Sequence, residues 1–302
     1  MNNRYYLCMN TGGTSSDAGA FNLEGVELFR LHFGVGSPAV DYDEAIANIL
    51  DTIEAIYQQM NRVSPVLMVL GISGVGAISD LDDFKGALEK KYHTKVEITN
   101  DAIVELYGIM GEKEEVILSV AGTGNATVGV KNGLRHLVGG GGPLLKEEGS
   151  CYSAVLECSL LVKDDYEKRI ALTPFLSNFL KEMNCPDYPA LKAYFYNHTK
   201  AEIARHATFI IEEAGKGTPE AIKLVDGQAF YLVQQVKIMK EALNIENGAI
   251  LGLYGGFTHH NPLLLERFNN YLKTSGITLK VCTEEVDPLK GAFNLAKQLR
   301  GE

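Results

Sequence analysis

The chain has 302 residues, of which 46% are hydrophobic and 22% are charged, a globular composition with room for two domains of ordinary size. Its 38 acidic residues outnumber its 28 basic ones, for a formal net charge of -10, and this balance argues against a nucleic-acid-binding or membrane-surface protein. A small anionic ligand remains compatible with that charge, because backbone N–H groups can hold a phosphate.

The cysteines indicate a reducing compartment. They stand at positions 8, 151, 158, 185 and 282 without a Cys-x-x-Cys pair, and an odd, scattered set in a chain this long is typical of free thiols. Residues 1–16 lack the basic and apolar regions of a signal peptide. No apolar run approaches the roughly 20 residues that span a bilayer. We therefore expect a soluble, cytoplasmic protein with no membrane partner.

The first third of the chain alternates strand and helix patterns. Short apolar or alternating segments predict strands over residues 5–9, 18–22, 26–33, 66–72 and 95–98. Apolar residues at helical spacing predict helices over residues 42–60, 81–92 and 102–110. Asp41 is placed to be the N-cap of the first helix. This alternation is typical of an α/β fold.

The order strand, Gly/Thr-rich loop, strand, tight turn, strand occurs twice. The second copy has strands over residues 116–120, 126–130 and 134–138, with its loop at 121–125. Helical patterns then cover residues 147–162, 174–183, 188–197, 200–215 and 219–243. An alternating tail follows, with strands over 249–254 and 278–281 and helices over 261–271 and 289–299. The internal duplication predicts two related α/β units, the second carrying a helical insertion.

Two loops at equivalent places in these copies are candidate phosphate-binding loops. Asn10-Thr-Gly-Gly-Thr14 and Gly122-Thr-Gly-Asn125 both leave a strand with glycines and hydroxyl side chains, which allow a phosphate to approach the backbone closely. Either loop alone is more typical of an ordinary tight hairpin than of a phosphate site. Matched Gly and Thr in both copies favour a shared role in holding a polyphosphate.

Three further segments carry candidate site residues. The run Gly139–Gly142 is either a hinge or a place where a ligand reaches the backbone, and the carboxylates that follow it, Glu147 and Glu148, either bind hydroxyl groups or begin a helix. Asp101 lies between a strand and a helix, where it is either an N-cap or a general base. Gly255-Gly256-Phe257 follows a strand and is either a nucleotide shelf or a plain connection.

Other site classes match poorly. There is no Gly-x-x-x-x-Gly-Lys-Ser/Thr sequence, no Gly-x-Ser-x-Gly elbow and no His-Glu-x-x-His motif. Residues 34–39 match a dinucleotide fingerprint, but Pro38 and the late start of the next helix argue against it. The adjacent His259 and His260 lack cysteine or carboxylate partners nearby for a metal.

Taken in order, these segments resemble the BadF/BadG-type ATPase and N-acetylglucosamine kinase family of the actin/hexokinase-like fold. The matching segments are residues 10–14, 70–74, 99–102, 121–124, 139–150, 255–256 and 288–292. The resemblance implies two duplicated ribonuclease H-like lobes. The first would be 1–115 plus the closing helix at about 288–302, and the second 116–287 with a helical insertion at about 158–244.

The resemblance also implies a function, an ATP- and Mg²⁺-dependent sugar kinase acting on N-acetylglucosamine or a related amino sugar, and a homodimer. Asp101 would be the catalytic base that accepts the proton of the sugar hydroxyl. The ATP-binding residues implied are Gly12, Gly13, Thr14, Ser15, Gly122, Thr123, Gly124, Asn125, Gly255, Gly256 and Phe257. The sugar-binding residues implied are Ser73, Asn100, Asp101, Gly141, Gly142 and Glu147.

Two departures from the family pattern keep alternatives open. Asn10 stands where the family carries an acid that helps to hold Mg²⁺, so that its contact with the metal would run through a water. The family's acidic stretch usually reads Gly-Asp-Glu-Gly-Ser, whereas here it reads Lys146-Glu-Glu-Gly-Ser150. A non-catalytic regulatory relative that binds a sugar or nucleotide is one alternative. The other is an ATPase that activates a dehydratase through an iron–sulfur cluster, against which the scattered cysteines count.

Overall fold

The computed structural model describes residues 4–13, 15–111, 113–145, 147–284 and 287–301. Thr14 and Lys146, both named above, lie outside these described residues. The chain divides into two compact units. The N-terminal unit comprises Met1–Lys113 and Glu285–Glu302, and the C-terminal unit comprises Glu114–Glu284.

The strands and helices predicted from the sequence are present, with small shifts at their ends. The strands are β1 (Tyr5–Thr11), β2 (Ser16–Asn22), β3 (Glu27–Phe33), β4 (Leu67–Ile72), β5 (Lys95–Thr99), β6 (Glu115–Ala121), β7 (Asn125–Lys131), β8 (Leu134–Gly139), β9 (Ile250–Tyr254) and β10 (Lys280–Cys282). The helices are α1 (Tyr42–Gln59), α2 (Leu81–Tyr92), α3 (Asp101–Met110), α4 (Cys151–Lys168), α5 (Pro174–Glu182), α6 (Tyr188–Asn197), α7 (Lys200–Ala204), α8 (Ala207–Gly215), α9 (Pro219–Ala242), α10 (Gly256–His259), α11 (Pro262–Thr274) and α12 (Pro288–Arg300).

Helix capping explains where the helical predictions shift. The helix predicted from residue 147 begins at Cys151, because the Ser150 side chain caps it by accepting from the Ser153 N–H. The helix predicted over 200–215 is broken around His206 into α7 and α8. Helix α10 is a single turn that the sequence pattern did not predict. Asp41 caps α1 as predicted, accepting from the Glu44 N–H at 3.0 Å.

The sheet of the N-terminal unit is mixed, with strand order β3-β2-β1-β4-β5. Strand β1 pairs antiparallel with β2 and parallel with β4, and β4 pairs parallel with β5. Parallel strands end at the same edge of a sheet, where open α/β folds bind ligands. The residues that follow β1, β4 and β5 therefore share one edge.

Both faces of β1 are covered by helices. On one face, alternate residues of β1 and the helical-period isoleucines of α1 form one buried cluster, which includes Tyr5, Leu7, Met9, Ile49, Ile53 and Ile56. On the other face, Tyr6 packs edge-on against Phe293 of α12, with ring centroids 5.6 Å apart. The burial of both faces fixes the position of β1 and of the loop that follows it.

Helix α12 packs against α3 backbone to backbone. A Cβ added at Gly291 would lie 2.0 Å from the Val104 carbonyl oxygen and 2.9 Å from the Gly108 nitrogen. Only a glycine admits this approach. The last helix of the chain is thereby packed into the N-terminal unit, against the helix that begins at Asp101.

The sheet of the C-terminal unit repeats the pattern, with strand order β10-β9-β6-β7-β8. Strand β6 pairs antiparallel with β7 and parallel with β9, just as β1 pairs with β2 and β4. This confirms the prediction of two related α/β sheets with flanking helices. Helices α4 to α9 lie between β8 and β9 in the chain. Within the described residues, we find no helix that combines the length and the apolar character needed to cross a membrane.

The close contact at Gly291 generates a stability prediction. We expect Gly291→Ala to lower the free energy of unfolding by about 1–3 kcal/mol, the usual cost of extra atoms in a packed core. Gly86 in α2 is the matched control, because no atom lies within 4 Å of the position that its Cβ would take. Gly86→Ala should instead be neutral or stabilising by about 0.4–1 kcal/mol. Urea unfolding of both variants measures the difference, and equal stabilities would contradict the close packing.

Candidate functional site

The loop between β1 and β2 is closed by hydrogen bonds. The Gly12 N–H donates to the Ser16 hydroxyl at 3.2 Å, and that hydroxyl donates to the Gly34 carbonyl at 3.0 Å. A Cβ at Gly12 would lie 2.6 Å from the Ser15 carbonyl oxygen, so this turn requires glycine. Gly13 and Ser15 complete the described part of the loop. The loop begins after Thr11 of β1, which pairs with Ile72 at the end of the parallel strand β4.

A segment that sequence reasoning missed braces this loop. The Gly36 N–H donates to the Gly12 carbonyl at 3.0 Å, and a Cβ at Gly36 would lie 2.5 Å from the Ser16 hydroxyl. Ser37 is only 3% exposed. In the sequence, the two glycines of residues 34–36 match only a dinucleotide fingerprint. Their spacing directly after a strand was the one signal that could have indicated a close backbone contact.

Asp101 lies at the same sheet edge as the first loop. The Ser73 N–H, just after β4, donates to the Thr11 hydroxyl at 3.2 Å. Asn100 is the N-cap of α3, accepting from the Ala102 N–H at 2.9 Å, and Asp101 is the first helical residue. The structure therefore brings together the predicted residues Ser73, Asn100 and Asp101 beside Thr11.

The surroundings of the Asp101 carboxyl shift its pKa. Burial raises the pKa of this carboxyl above its usual range, and hydrogen bonds from the Ala102 N–H and the Ser73 hydroxyl only partly offset the effect. A carboxylate with a raised pKa is a better proton acceptor than an exposed one. The arrangement is suited to taking a proton from a hydroxyl group.

Asn10 is the last-but-one residue of β1, and its amide oxygen is buried. That oxygen has no hydrogen-bond partner within the described residues, and such an atom is expected to bind a ligand or a water. Mg²⁺ is usually held by one or two carboxylates together with waters and substrate phosphates. An amide oxygen that accepts from a metal-bound water fits this pattern. Over the same part of the chain, no group of three or more His, Cys, Asp or Glu side chains is arranged to hold a metal ion.

The second candidate loop joins β6 to β7 and rests on the start of α4. The Gly122 N–H donates to the Gly124 carbonyl at 2.8 Å, which closes the turn. The Cys151 N–H donates to the Gly122 carbonyl at 2.9 Å, and the Tyr152 N–H donates to the Thr123 carbonyl at 3.2 Å. The positive end of the α4 dipole thus lies behind a loop whose Thr123 is exposed.

Residues 147–150 are fixed against this loop by side-chain amides. Asn125 donates from its Nδ2 to the Glu148 carbonyl, and its Oδ1 accepts from Gln235 at 3.3 Å. Gln228 accepts from the Gly149 N–H at 2.8 Å. The Asn125 side chain therefore braces the second loop from inside. Gln228 and Gln235, both on α9, were not predicted, because the sequence pattern of α9 gives no sign that it approaches residue 149.

Glu147 is buried against the second loop. Its Oε1 and Oε2 would each lie 2.7 Å from a Cβ on Gly124, and its carboxylate forms an ion pair with Lys200. Gly141 is exposed and Gly142 is partly exposed, and both follow β8 in the C-terminal unit. Ser73, Asn100 and Asp101 belong to the N-terminal unit, so the sugar-binding residues implied by the resemblance are divided between the two units.

The segment after β9 adjoins the end of β6. Gly255 has a φ of +100°, which favours glycine, and a Cβ there would lie 2.4 Å from the Ala121 carbonyl oxygen. The structure thus brings Gly255 and Gly256 beside the second loop. Phe257 is only 1% exposed and its ring packs in the core, so its assignment to ATP stays a prediction that concerns its backbone alone.

Comparison with known proteins agrees with this architecture. A family model described as the BadF/BadG/BcrA/BcrD ATPase family matches residues 10–296. A protein of Clostridium acetobutylicum named N-acetylmuramic acid/N-acetylglucosamine kinase is 23% identical over 304 residues, covering 97% of this chain and 98% of that protein.

Two solved structures extend the comparison. A protein of Chromobacterium violaceum assigned as an N-acetylglucosamine kinase has a TM-score of 0.73 at 20% identity, covering 97% of this chain and 98% of that one. A ROK family glucokinase of Streptomyces griseus, in complex with glucose and AMPPNP, has a TM-score of 0.56 at 14% identity, covering 99% and 100%. At these identities the similarity shows the fold alone.

The fold is therefore the actin/hexokinase-like α/β fold that the family resemblance implied. Because the family model spans nearly the whole chain and includes both loops, the chain belongs to the BadF/BadG/BcrA/BcrD ATPase family.

Proposed function

We propose that this protein is an ATP-dependent sugar kinase that phosphorylates N-acetylglucosamine or a related amino sugar. The observation that carries the proposal is the partly buried Asp101 carboxyl, with its raised pKa, held by Ser73 beside the first loop of an ATPase-family chain. The Clostridium acetobutylicum relative named as an amino-sugar kinase, matched over 97% of this chain, supports the choice of substrate class.

In this mechanism Asp101 accepts the proton of the attacking sugar hydroxyl. The oxygen of that hydroxyl forms a bond to the terminal phosphorus of ATP as the bond to the leaving ADP breaks. The Ser73 hydroxyl, by donating to Asp101, keeps the carboxylate oriented toward its substrate. Burial supplies the proton affinity that an exposed aspartate lacks.

On the family resemblance, each loop is assigned by itself as a phosphate-binding loop for ATP. The described residues are Gly12, Gly13 and Ser15 in the first and Gly122, Thr123 and Gly124 in the second. The α4 N-terminus behind the second loop supplies a favourable positive potential. Gly255 and Gly256 are assigned to the adenosine. Mg²⁺ bound to the phosphates supplies neutralisation of their charge, and Asn10 would hold it through a water.

Domain limits, location and assembly complete the proposal. We assign the two units to ribonuclease H-like lobes, with residues of about 158–244 as the helical insertion of the second. The five cysteines are free thiols, which supports a reducing, cytoplasmic setting. The homodimer is proposed on family resemblance.

A second candidate function rests on Asn10. A neutral amide in place of the family's acid weakens metal binding, which favours a relative that binds ATP or a sugar without turnover. The experiment that follows separates the two functions.

The primary prediction concerns turnover. ADP release in the presence of ATP and Mg²⁺ should depend on one of N-acetylglucosamine, N-acetylmuramate, glucosamine or glucose. Asp101→Asn should lower that turnover by about 10²–10⁴-fold, the usual contribution of a general base. Asp82→Asn, on the exposed side of α2, is the matched control and should leave it unchanged. No turnover with any sugar, together with thermal stabilisation by ATP, would establish the non-catalytic alternative.

A second prediction concerns pH dependence. Because the Ser73 hydroxyl lowers the pKa of Asp101, its removal in Ser73→Ala should raise that pKa further. The acidic limb of the kcat/KM profile, where Asp101 becomes protonated and inactive, should therefore move to higher pH. Ser73→Thr keeps the hydroxyl and should leave the limb in place. Identical limbs in both variants would contradict the Ser73–Asp101 contact.

A third prediction concerns stability. A carboxyl whose folded-state pKa is raised destabilises the fold once it ionises, so Asp101 contributes stability at low pH that is lost as the pH rises. Asp101→Asn should therefore raise the melting temperature at pH 8. This gain in melting temperature should vanish as the pH falls toward about 3.9, the ordinary pKa of aspartate. Calorimetry over this range measures it, and a lower melting temperature at pH 8 would show that the carboxylate is not destabilised by burial.

A further inference from the structure

Lys200, at the start of α7, reaches the second phosphate loop from a distant part of the chain. Its ammonium forms an ion pair with the buried Glu147, and its Nζ would lie 2.3 Å from a Cβ on Gly124.

The absence of a side chain at Gly124 leaves room for this approach. The φ of Gly124 lies outside the left-handed range, so the backbone itself does not demand glycine. Any side chain at residue 124 would occupy the space of the Lys200 ammonium and of the Glu147 carboxylate. The loop is therefore shaped to admit a lysine head group against its backbone.

The charges at this place require a cation. The Glu147 side chain is 6% exposed, and a buried carboxylate beside a phosphate-binding loop would repel a polyphosphate. Lys200 offsets the charge of Glu147 and leaves the loop free to attract an anion.

The ammonium also has capacity for a second partner. It carries three N–H donors, and the Lys200 side chain is 28% exposed, so it reaches solvent at the loop. Its helix is held by a capping box, in which Thr199 and Glu202 exchange hydrogen bonds with each other's backbone. Lysine is a common point-charge ligand of phosphate groups.

We propose that Lys200 is a nucleotide-binding residue whose ammonium contacts the phosphate chain of ATP while it remains paired with Glu147. This inference rests on the proposed function, in that the second loop is taken to hold ATP phosphates. It adds a residue from the helical segment to a site otherwise built from strand-end loops.

The test measures nucleotide binding by calorimetry, without any sugar, in the full-length protein. Lys200→Met should weaken ATP binding at least tenfold, while the affinity for adenosine, which has no phosphate, should stay within twofold of the wild type. Lys192→Met is the matched control, because Lys192 is an exposed lysine of the same helical segment, and it should bind both probes as the wild type does.

A double variant separates a phosphate contact from simple charge compensation. Glu147→Gln combined with Lys200→Met leaves no unpaired buried charge, so it should fold even where Lys200→Met alone does not. If Lys200 contacts phosphate, the double variant still binds ATP at least tenfold more weakly than Glu147→Gln alone.

Equal ATP affinity in those two variants would reduce Lys200 to a counter-ion and overturn the proposal, as would a wild-type protein that binds no ATP. Failure of sugar phosphorylation with intact ATP binding would instead overturn the sugar-kinase function and leave the role of Lys200 standing.

Discussion

The parallel pairing of β1 with β4, and of β6 with β9, is the constraint on which both candidate sites depend. Each pairing ends two strands at one edge of a sheet, so segments distant in the sequence meet there. In the N-terminal unit, Thr11 meets Ser73 in this way. In the C-terminal unit, Ala121 meets Gly255. Each antiparallel hairpin then supplies the loop that phosphate groups would contact.

Close backbone contact is the second requirement, and it explains why glycines gather at these edges. Gly12, Gly255 and Gly124 each lie where a Cβ would overlap another atom. The overlapping atoms differ: a carbonyl within the same loop, a carbonyl of a neighbouring strand, and charged side chains from distant segments. Glycine therefore allows a tight turn at residue 12, a close contact between strand ends at residue 255 and room for an ion pair at residue 124.

The sequence predicted what local pattern controls. Strand and helix positions, the duplicated order of elements and the loops at residues 10–15 and 122–125 follow from apolar periodicity and from glycine placement. Asp101 was predicted through its place after β5, although Asn100, not Asp101, is the N-cap. The family membership followed from the order of these segments.

What the sequence left unpredicted depends on tertiary contacts. Lys200 and Gln228 stand in ordinary helical patterns, and only folding brings them to Gly124 and Gly149. The first turn predicted at Glu147 was wrong for a related reason, because Ser150 caps α4 and leaves Glu147 outside the helix, where its carboxylate packs against the loop.

The carboxylates of Asp101 and Glu147 show how neighbouring groups give one residue type different chemical roles. Asp101 is held by a hydroxyl and a backbone N–H, which do not compensate its burial, and its pKa rises. Glu147 instead forms an ion pair with the ammonium of Lys200. A carboxylate without a cation is suited to accept a proton, whereas a carboxylate with one is suited to position that cation. Residue type alone would give both carboxylates the same role. Their neighbouring hydrogen-bond donors make Asp101 a candidate base and make Glu147 the ion-pair partner of a proposed phosphate-binding lysine.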